Sequence, residues 1–110
     1  MNQRLVCYRL LVDVTKAMPD LLAKIPKGES KLIDQLRRAM HSSMANLAEG
    51  NGRFSQKERN KFFNYSLGSI SEVSSGMDYC CASRYIDENL SNNLKSTLRR
   101  AYYMVRKLRK

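Results

Sequence analysis

The chain has 110 residues, of which 43% are hydrophobic and 27% charged, and its formal net charge is +10. Such a length and composition are typical of one folded domain over residues 1–110, and they exclude a second domain. No segment approaches the ~20 apolar residues of a membrane span, and Arg9 and Asp13 interrupt the start before a secretory apolar core can form. We therefore expect a cytoplasmic protein.

The first predicted helix extends from about residue 3 to 24. Its apolar residues recur with helical spacing, which indicates an inward stripe of Val6, Leu10, Val14, Ala17 and Leu21, widened by Leu5, Tyr8, Val12 and Leu22. Pro19 removes a hydrogen bond and crowds the preceding turn, so we expect a bend or a fresh turn there.

The second helix is predicted over about residues 31–49, after a loop that contains Pro26 and Gly28. Ser30 is a candidate N-cap. The expected inward residues are Ile33, Leu36, Met40, Ser43 or Met44, and Leu47. Gly50-Asn51-Gly52 would end the helix, since glycine adopts the left-handed conformation at little cost.

The third helix is predicted over about residues 56–84, and Ser55 with Glu58 forms a capping box at its start. The expected inward residues are Phe62, Leu67, Ile70, Val73, Met77 and Cys80 or Cys81. Its middle is rich in small residues, namely Ser66, Gly68, Ser69, Ser71, Ser74, Ser75 and Gly76. We interpret them as places where another helix, of this chain or of another subunit, approaches closely; the alternative is a merely weak helix.

The fourth helix is predicted over about residues 88–110, with Asp87 as its N-cap. Its apolar stripe is Leu94, Leu98, Ala101, Val105 and Leu108. Four helices joined by short loops predict an all-α fold, an up-down antiparallel four-helix bundle.

The end of the chain is strongly basic, because residues 92–110 have seven Lys or Arg and no acidic residue. On a helical wheel these cations lie away from the apolar stripe, with Tyr103 among them. Such a face indicates a polyanion as partner, with the tyrosine able to stack on a base. The candidate nucleic-acid-binding residues are Lys95, Arg99, Arg100, Tyr103, Arg106, Lys107, Arg109 and Lys110. The alternative is that the cations serve solubility and the helix dipole.

No pattern of catalytic residues is present, and we expect a protein that is not an enzyme. His41 precedes Ser42 and Ser43, but adjacent residues on a helix point in different directions. Cys7, Cys80 and Cys81 are too few and too poorly spaced for a disulfide framework or a zinc site, which favours reduced, packed thiols. No metal or cofactor is therefore expected.

The middle of the chain resembles a known bacterial family. The matching segments are Gln35-Leu36-Arg37-Arg38-Ala39, Asn46-Leu47-Ala48-Glu49-Gly50-Asn51-Gly52-Arg53, Phe62-Phe63 and Gly68-Ser69-Ile70-Ser71-Glu72. They are similar to motifs of the four-helix-bundle proteins of 23S ribosomal RNA intervening sequences. The chain departs from the family pattern in two respects: the Trp-x-x-Ala element of the first helix is missing, and Met44 or a neighbour replaces a proline.

This superfamily is similar to the accessory variability determinant of diversity-generating retroelements, a basic homopentamer that binds nucleic acid and partners a reverse transcriptase. The resemblance implies a homopentameric ring of four-helix protomers, RNA or DNA as ligand and a reverse transcriptase as partner, with no membrane and no catalytic residues to carry over. The motif residues Asn46, Glu49, Gly50, Gly52, Arg53, Gly68, Ser69 and Glu72 are interpreted as structural, with Glu49 paired to Arg53 or Arg37.

The predicted function is thus a nucleic-acid-binding accessory scaffold of a reverse transcriptase. The alternatives are a protein-interaction module that docks on an acidic partner, and an orphan product of a 23S rRNA intervening sequence. Membrane-surface binding is disfavoured because the apolar stripe of the last helix is needed inside the bundle.

Overall fold

The computed structural model describes residues 2–110, and it confirms the all-α fold. The four α-helices are α1 (Gln3–Ala23), α2 (Ser30–Asn51), α3 (Gln56–Ala82) and α4 (Glu88–Leu108), and a 3₁₀ turn at Lys27–Glu29 precedes α2. Each boundary lies within two residues of its predicted position. Asn2, Ser55 and Asp87 cap α1, α3 and α4 by accepting backbone hydrogen bonds.

The helices form a rod of about 43 × 25 × 19 Å. Each helix packs against the helices before and after it, and α1 also packs against α4, so that the four surround one core. The most extensive contact joins α2 to α3. Side chains from all four helices and the loops fill the interior, with Phe63, Leu11, Leu21 and Leu36 among the largest that are completely enclosed.

The inward face of α1 agrees with the predicted stripe in part, because Leu10, Val14 and Leu21 are buried. Cys7, Leu11 and Met18 are buried, while Val6 and Ala17 are only half-buried. The apolar residues cover so much of this helix that spacing alone could not select which side faces the core. Pro19 lies within a continuous helix and does not end it.

The start and the end of α2 also differ from expectation. Glu29 occupies the N-cap position of α2 without a side-chain cap, and Ser30 is already helical. No glycine among the described residues has a positive φ; Gly52 caps the helix with φ −91°. Instead Arg84, just after α3, adopts the left-handed conformation, with φ 65°. The expected left-handed glycine after α2 is therefore wrong.

Gly50 is required for packing. A Cβ built at this position would lie 2.6 Å from Cε1 of Phe63, whose ring is completely buried. Phe63 is thus the aromatic core residue of α3, while Phe62 is half-buried, which corrects the expectation that Phe62 faces inward. Gly76 allows a similar approach, because a Cβ there would overlap Cδ2 of Leu36.

The small residues of α3 therefore divide into two groups. Ser66, Ser69 and Gly76 face α2 within the same chain. Gly68, Ser71 and Ser75 are exposed, and a Cβ at Gly68 would meet no atom within 4 Å. The close approach predicted for this stretch is found between α2 and α3, and part of the stretch faces outward.

Candidate nucleic-acid interface

Helix α4 is amphipathic in the manner predicted. Leu94, Leu98, Ala101 and Val105 are buried, and Leu108 is half-buried. The opposite side of the helix is exposed, with Arg99, Arg100, Arg106 and Lys107 in solvent. The aliphatic edge is therefore used by the core, and the guanidinium and ammonium groups are free to contact an external partner.

Two of the predicted binding residues have partners within the chain. Lys95 Nζ lies 2.5 Å from Asp78 Oδ1, and its side chain is only 26% exposed. Arg109 donates a hydrogen bond of 2.9 Å to Asn64 Oδ1. Lys95 is consequently neutralised and is the weakest member of the predicted set, whereas hydrogen bonding to a neutral amide leaves the charge of Arg109 uncompensated.

Among residues 2–110, the other five cations of the basic segment 92–110 have no counter-ion. Within residues 2–110, no ion pair involves Arg99, Arg100, Arg106, Lys107 or Lys110. Their like charges repel each other, and an anion bound among them would relieve this repulsion. We refer to these five residues together with Tyr103 and Arg109 as the basic face.

Two tyrosines lie beside this face. Tyr102 and Tyr103 form an edge-to-face pair with ring centroids 5.8 Å apart, and Tyr103 is 52% exposed. Tyr102 lines a groove of about 390 Å³ between α3 and α4, which also contains Ser71 and Ser75. The ring of Tyr103 is thus exposed, and its stacking on a base stays a prediction.

The C-terminal end of α4 is attached to the start of α3. Asn60 donates to Lys110 O at 2.7 Å and accepts from Lys110 N at 3.2 Å, and Gln56 donates to Leu108 O at 3.3 Å. These contacts bring two basic segments together at one end of the rod. We call it the basic end; its cations are Arg53, Lys57, Arg59, Lys61, Arg106, Lys107, Arg109 and Lys110.

The α2–α3 turn at this end presents one exposed aromatic ring. Phe54 is 96% exposed and lies in the turn beside a shallow cleft of about 360 Å³ formed with Ala48, Glu49, Gly52 and Arg53. Leaving a phenylalanine in water forgoes roughly 1.5–3 kcal/mol of burial free energy. A ring so placed contributes nothing to the core of this chain.

Cations surround the neighbouring ring of Phe62. The Arg53 guanidinium carbon lies 4.9 Å from its centroid and Lys61 Nζ lies 5.5 Å from it, while Tyr65 meets it edge to face at 6.1 Å. Arg59 Nε also donates to Arg53 O at 2.7 Å. Aromatic and cationic side chains are therefore interleaved around the turn.

The motif residues of α2 hold the helices in register. Asn46 donates to Ser42 O and Ser42 Oγ at 2.9 and 3.0 Å, and Ser69 donates to Ser42 Oγ at 2.9 Å. Buried Ser66 donates to Ser43 O at 2.8 Å. This network joins α2 to α3 within the protomer, which is a structural use of Asn46 and Ser69.

Apart from the buried Gly50, the other motif residues are at the surface. Glu49 pairs with Arg53 at 2.6 Å, which selects Arg53 rather than Arg37 from the two predicted partners. Gly52 caps α2, and Gly68 is exposed on α3. Glu72 lies in a groove of about 400 Å³ between α2 and α3. These residues do not converge on one site.

A carboxylate–tyrosine cluster lies at the other end of α3. Glu29 Oε2 accepts hydrogen bonds from Tyr79 Oη at 2.8 Å and Tyr85 Oη at 2.9 Å. These hydrogen bonds raise the pKa of both phenols, because deprotonation would place a phenolate beside the carboxylate. The cluster closes the end of the bundle and is remote from the basic end.

The residues considered for catalysis or thiol chemistry are separated. His41 is exposed, whereas Ser43 is buried and donates to Met40 O at 2.7 Å. Cys7 and Cys80 are buried free thiols, and burial raises the pKa of each. Within residues 2–110, no three His, Cys, Asp or Glu side chains converge as metal ligands.

The predicted binding residues did not include the cations and the aromatic ring of the α2–α3 turn. Arg53 was interpreted only as a structural residue, and Phe54 was not considered. Four cations occur between residues 53 and 61 against one carboxylate, Glu58. This density, and an aromatic residue in a turn among arginines and lysines, is the signal that could have found them.

Comparison with known proteins places the chain in context. The model of the family described as 23S rRNA-intervening sequence protein matches residues 3–107. No curated protein matches the chain. Among the helices of residues 2–110, none is both long and apolar enough to span a bilayer.

Proposed function

Since the chain belongs to the 23S rRNA-intervening sequence protein family, we propose that it is a non-enzymatic basic scaffold that binds nucleic acid. The observation behind this proposal is the basic face of α4, where Arg99, Arg100 and Arg106 are exposed without counter-ions in the described part of the chain. The phosphates of a nucleic acid are the anions that such a row of cations fits best, because phosphates repeat along the strand as the cations repeat along α4.

The expected binding is largely electrostatic. Each phosphate contact releases counterions, so that the affinity falls with salt, with a logarithmic slope of about −0.7 to −0.9 per contact. Tyr103 would add stacking on an unpaired base. Contacts to phosphates do not distinguish sequences, and we therefore expect affinity without strong sequence preference.

The test is a gel-shift titration of the protein with RNA and DNA at increasing salt. We expect the triple variant R99Q/R100Q/R106Q to weaken binding at low salt and to reduce the magnitude of the salt slope by roughly 2–3, as for three lost phosphate contacts. A matched control is K24Q/K27Q/K31Q, which removes the same charge from exposed positions before and at the start of α2. Equal effects of the two variants, or a salt slope near zero for the wild type, would refute the proposal.

The resemblance supports a more specific role, as an accessory partner of a reverse transcriptase in a diversity-generating retroelement. In this role the chain would be an up-and-down bundle that assembles into a homopentamer, and repetition of the basic face by symmetry would raise the effective concentration of weak phosphate contacts. Co-purification from the native host, with bound proteins identified, tests it: a reverse transcriptase should be recovered. Genomic position beside a ribosomal RNA operon would favour the orphan alternative instead.

An acidic protein partner is the main alternative ligand for the basic face. It predicts that R99Q/R100Q/R106Q loses a protein partner while the wild type has no affinity for nucleic acid. The same gel-shift experiment therefore separates the two ligands.

A further inference from the structure

We propose that the α2–α3 turn is a subsite for single-stranded nucleic acid, in which Phe54 stacks on an unpaired base while neighbouring cations hold the flanking phosphates. This inference rests on the proposed nucleic-acid function and specifies the form of the ligand. It concerns a surface separate from the middle of α4, where Arg99 and Tyr103 lie.

The first observation is the position of the Phe54 ring. The side chain is 96% exposed, and the cleft of about 360 Å³ beside it is formed by Ala48, Glu49, Gly52 and Arg53. Both faces of a planar base are apolar, so an exposed phenyl ring next to open space is suited to accept one by stacking.

The second observation is the positive charge of the segment that contains Phe54. Residues 53–61 contain Arg53, Lys57, Arg59 and Lys61 against one carboxylate, Glu58. The hydrogen bonds of Asn60 to Lys110 bring the end of α4 to the same place. An exposed aromatic ring at the start of such a cationic segment favours a ligand that is both aromatic and anionic, and a nucleic acid strand combines these properties.

The third observation concerns the kind of strand. The bases of a duplex are stacked on each other, and a phenyl ring on a turn can reach a base face only where the base is unpaired. Arg53 is already paired with Glu49 and lies over the Phe62 ring. Its charge is therefore compensated, as that of Lys95 is, and the phosphates that flank the stacked base are left to Lys57, Arg59 and Lys61.

The experiment compares oligodeoxythymidine with a DNA duplex of the same length, using the full chain and the variant F54L. Leucine keeps an apolar side chain but has no aromatic face. We expect F54L to weaken binding of oligodeoxythymidine by about 5- to 100-fold, the range of one base–aromatic stack. Its affinity for the duplex and its salt slope should be unchanged, because no phosphate contact is removed.

A second variant reports on the contact directly. The chain has no tryptophan, so F54W provides a single indole at the proposed stacking position. Saturating oligodeoxythymidine should quench its emission, and saturating duplex should not.

Several results would overturn the inference. Equal weakening of both ligands by F54L, or indole emission that is unaffected by saturating oligodeoxythymidine, would show that the ring does not stack. Binding of anionic vesicles that depends on Phe54, with unchanged oligodeoxythymidine affinity, would assign the turn to a membrane surface. If the wild type binds both nucleic acids and F54L changes neither, only this inference fails; if the wild type binds neither, the proposed function fails with it.

Discussion

Glu29 illustrates how a single residue stabilises the end of the bundle. It precedes α2, yet its carboxylate accepts hydrogen bonds from Tyr79 on α3 and Tyr85 in the α3–α4 connection. The two rings also meet edge to face at 6.4 Å. One carboxylate thus joins the segment before α2 to the end of α3 and to the connection that follows it. It does so only while both phenols keep their protons.

The tyrosine cluster leads to a prediction about alkaline pH. The pKa of Tyr79 and of Tyr85 is raised in the folded protein by the hydrogen bond to Glu29. The resulting stabilisation is complete below the ordinary tyrosine pKa of about 10 and is lost as the pH rises through the higher folded values. Urea unfolding should be measured between pH 8 and 11, a range of about one to two units on either side of that pKa. The free energy of unfolding should fall more steeply with pH for the wild type than for Y79F/Y85F.

A matched control for this prediction is Y65F, which changes a tyrosine on the earlier part of α3. Lysine deprotonation also affects stability in this range, but it is common to all the proteins compared. Parallel curves for the wild type and Y79F/Y85F would show that the phenols do not contribute.

At the scale of the elements, the contact between α2 and α3 is the most extensive in the bundle. The absence of a side chain at Gly50 and Gly76 leaves room for Phe63 and Leu36. Between these points, the hydroxyl groups of Ser66 and Ser69 on α3 donate to Ser43 O and Ser42 Oγ on α2. A buried hydroxyl that donates to a backbone carbonyl costs little desolvation free energy and fixes the register of the two helices. The family motif around Gly50 is in this chain a packing motif.

This packing predicts opposite effects of alanine at two glycines. G50A would place a methyl group against the enclosed ring of Phe63, and overpacking of this kind destabilises by about 1–3 kcal/mol. G68A adds a methyl group where no atom lies within 4 Å, and replacing a helical glycine with alanine should stabilise by up to about 1 kcal/mol. Chemical denaturation of both variants measures the difference, and a G50A protein as stable as the wild type would contradict the close approach.

At the scale of the whole molecule, charge is distributed unevenly along the rod. The α2–α3 turn and the end of α4 form the basic end, while Glu29, Asp78, Asp87 and Glu88 lie near the other end of α3 and the start of α4. A helix of 27 residues such as α3 separates these ends by about 40 Å. The field of such a molecule would orient an approaching polyanion toward the basic end.

Self-association is the prediction at this scale. We expect a mass five times the protomer's 12.7 kDa in light scattering, as the resemblance implies for a homopentamer. The exposed small residues Ser71 and Ser75 offer a surface where a neighbouring helix can approach closely. S75R should therefore reduce the mass, because a long charged side chain would prevent the approach.

The control for self-association is A45R, which adds the same side chain at an exposed position of α2. A wild-type mass equal to that of one protomer would refute the assembly. If A45R and S75R dissociate it equally, the contact is not specific to the small residues of α3.

Much of this protein was predictable from its sequence. Helical spacing in α4 placed Leu94, Leu98 and Val105 inside and Arg99 and Arg106 outside, because a narrow apolar stripe leaves a helix only one way to face the core. Ser55 and Asp87 were identified as caps because capping depends on residues adjacent in sequence. The motif segments led to the family for a similar reason, since they are local patterns.

Only the tertiary structure decided which distant residues meet. The apolar surface of α1 is too broad for helical spacing to show that Leu11, rather than Val6, is buried. Phe62 and Phe63 are equally apolar, and only the packing of Phe63 against Gly50 shows which ring enters the core. The neutralisation of Lys95 by Asp78 depends on how α3 and α4 pack, and so does the meeting of the α2–α3 turn with Lys110. Sequence patterns report the periodicity of one helix, whereas these contacts depend on the relative rotation and height of two helices, which are determined when all four pack around one core.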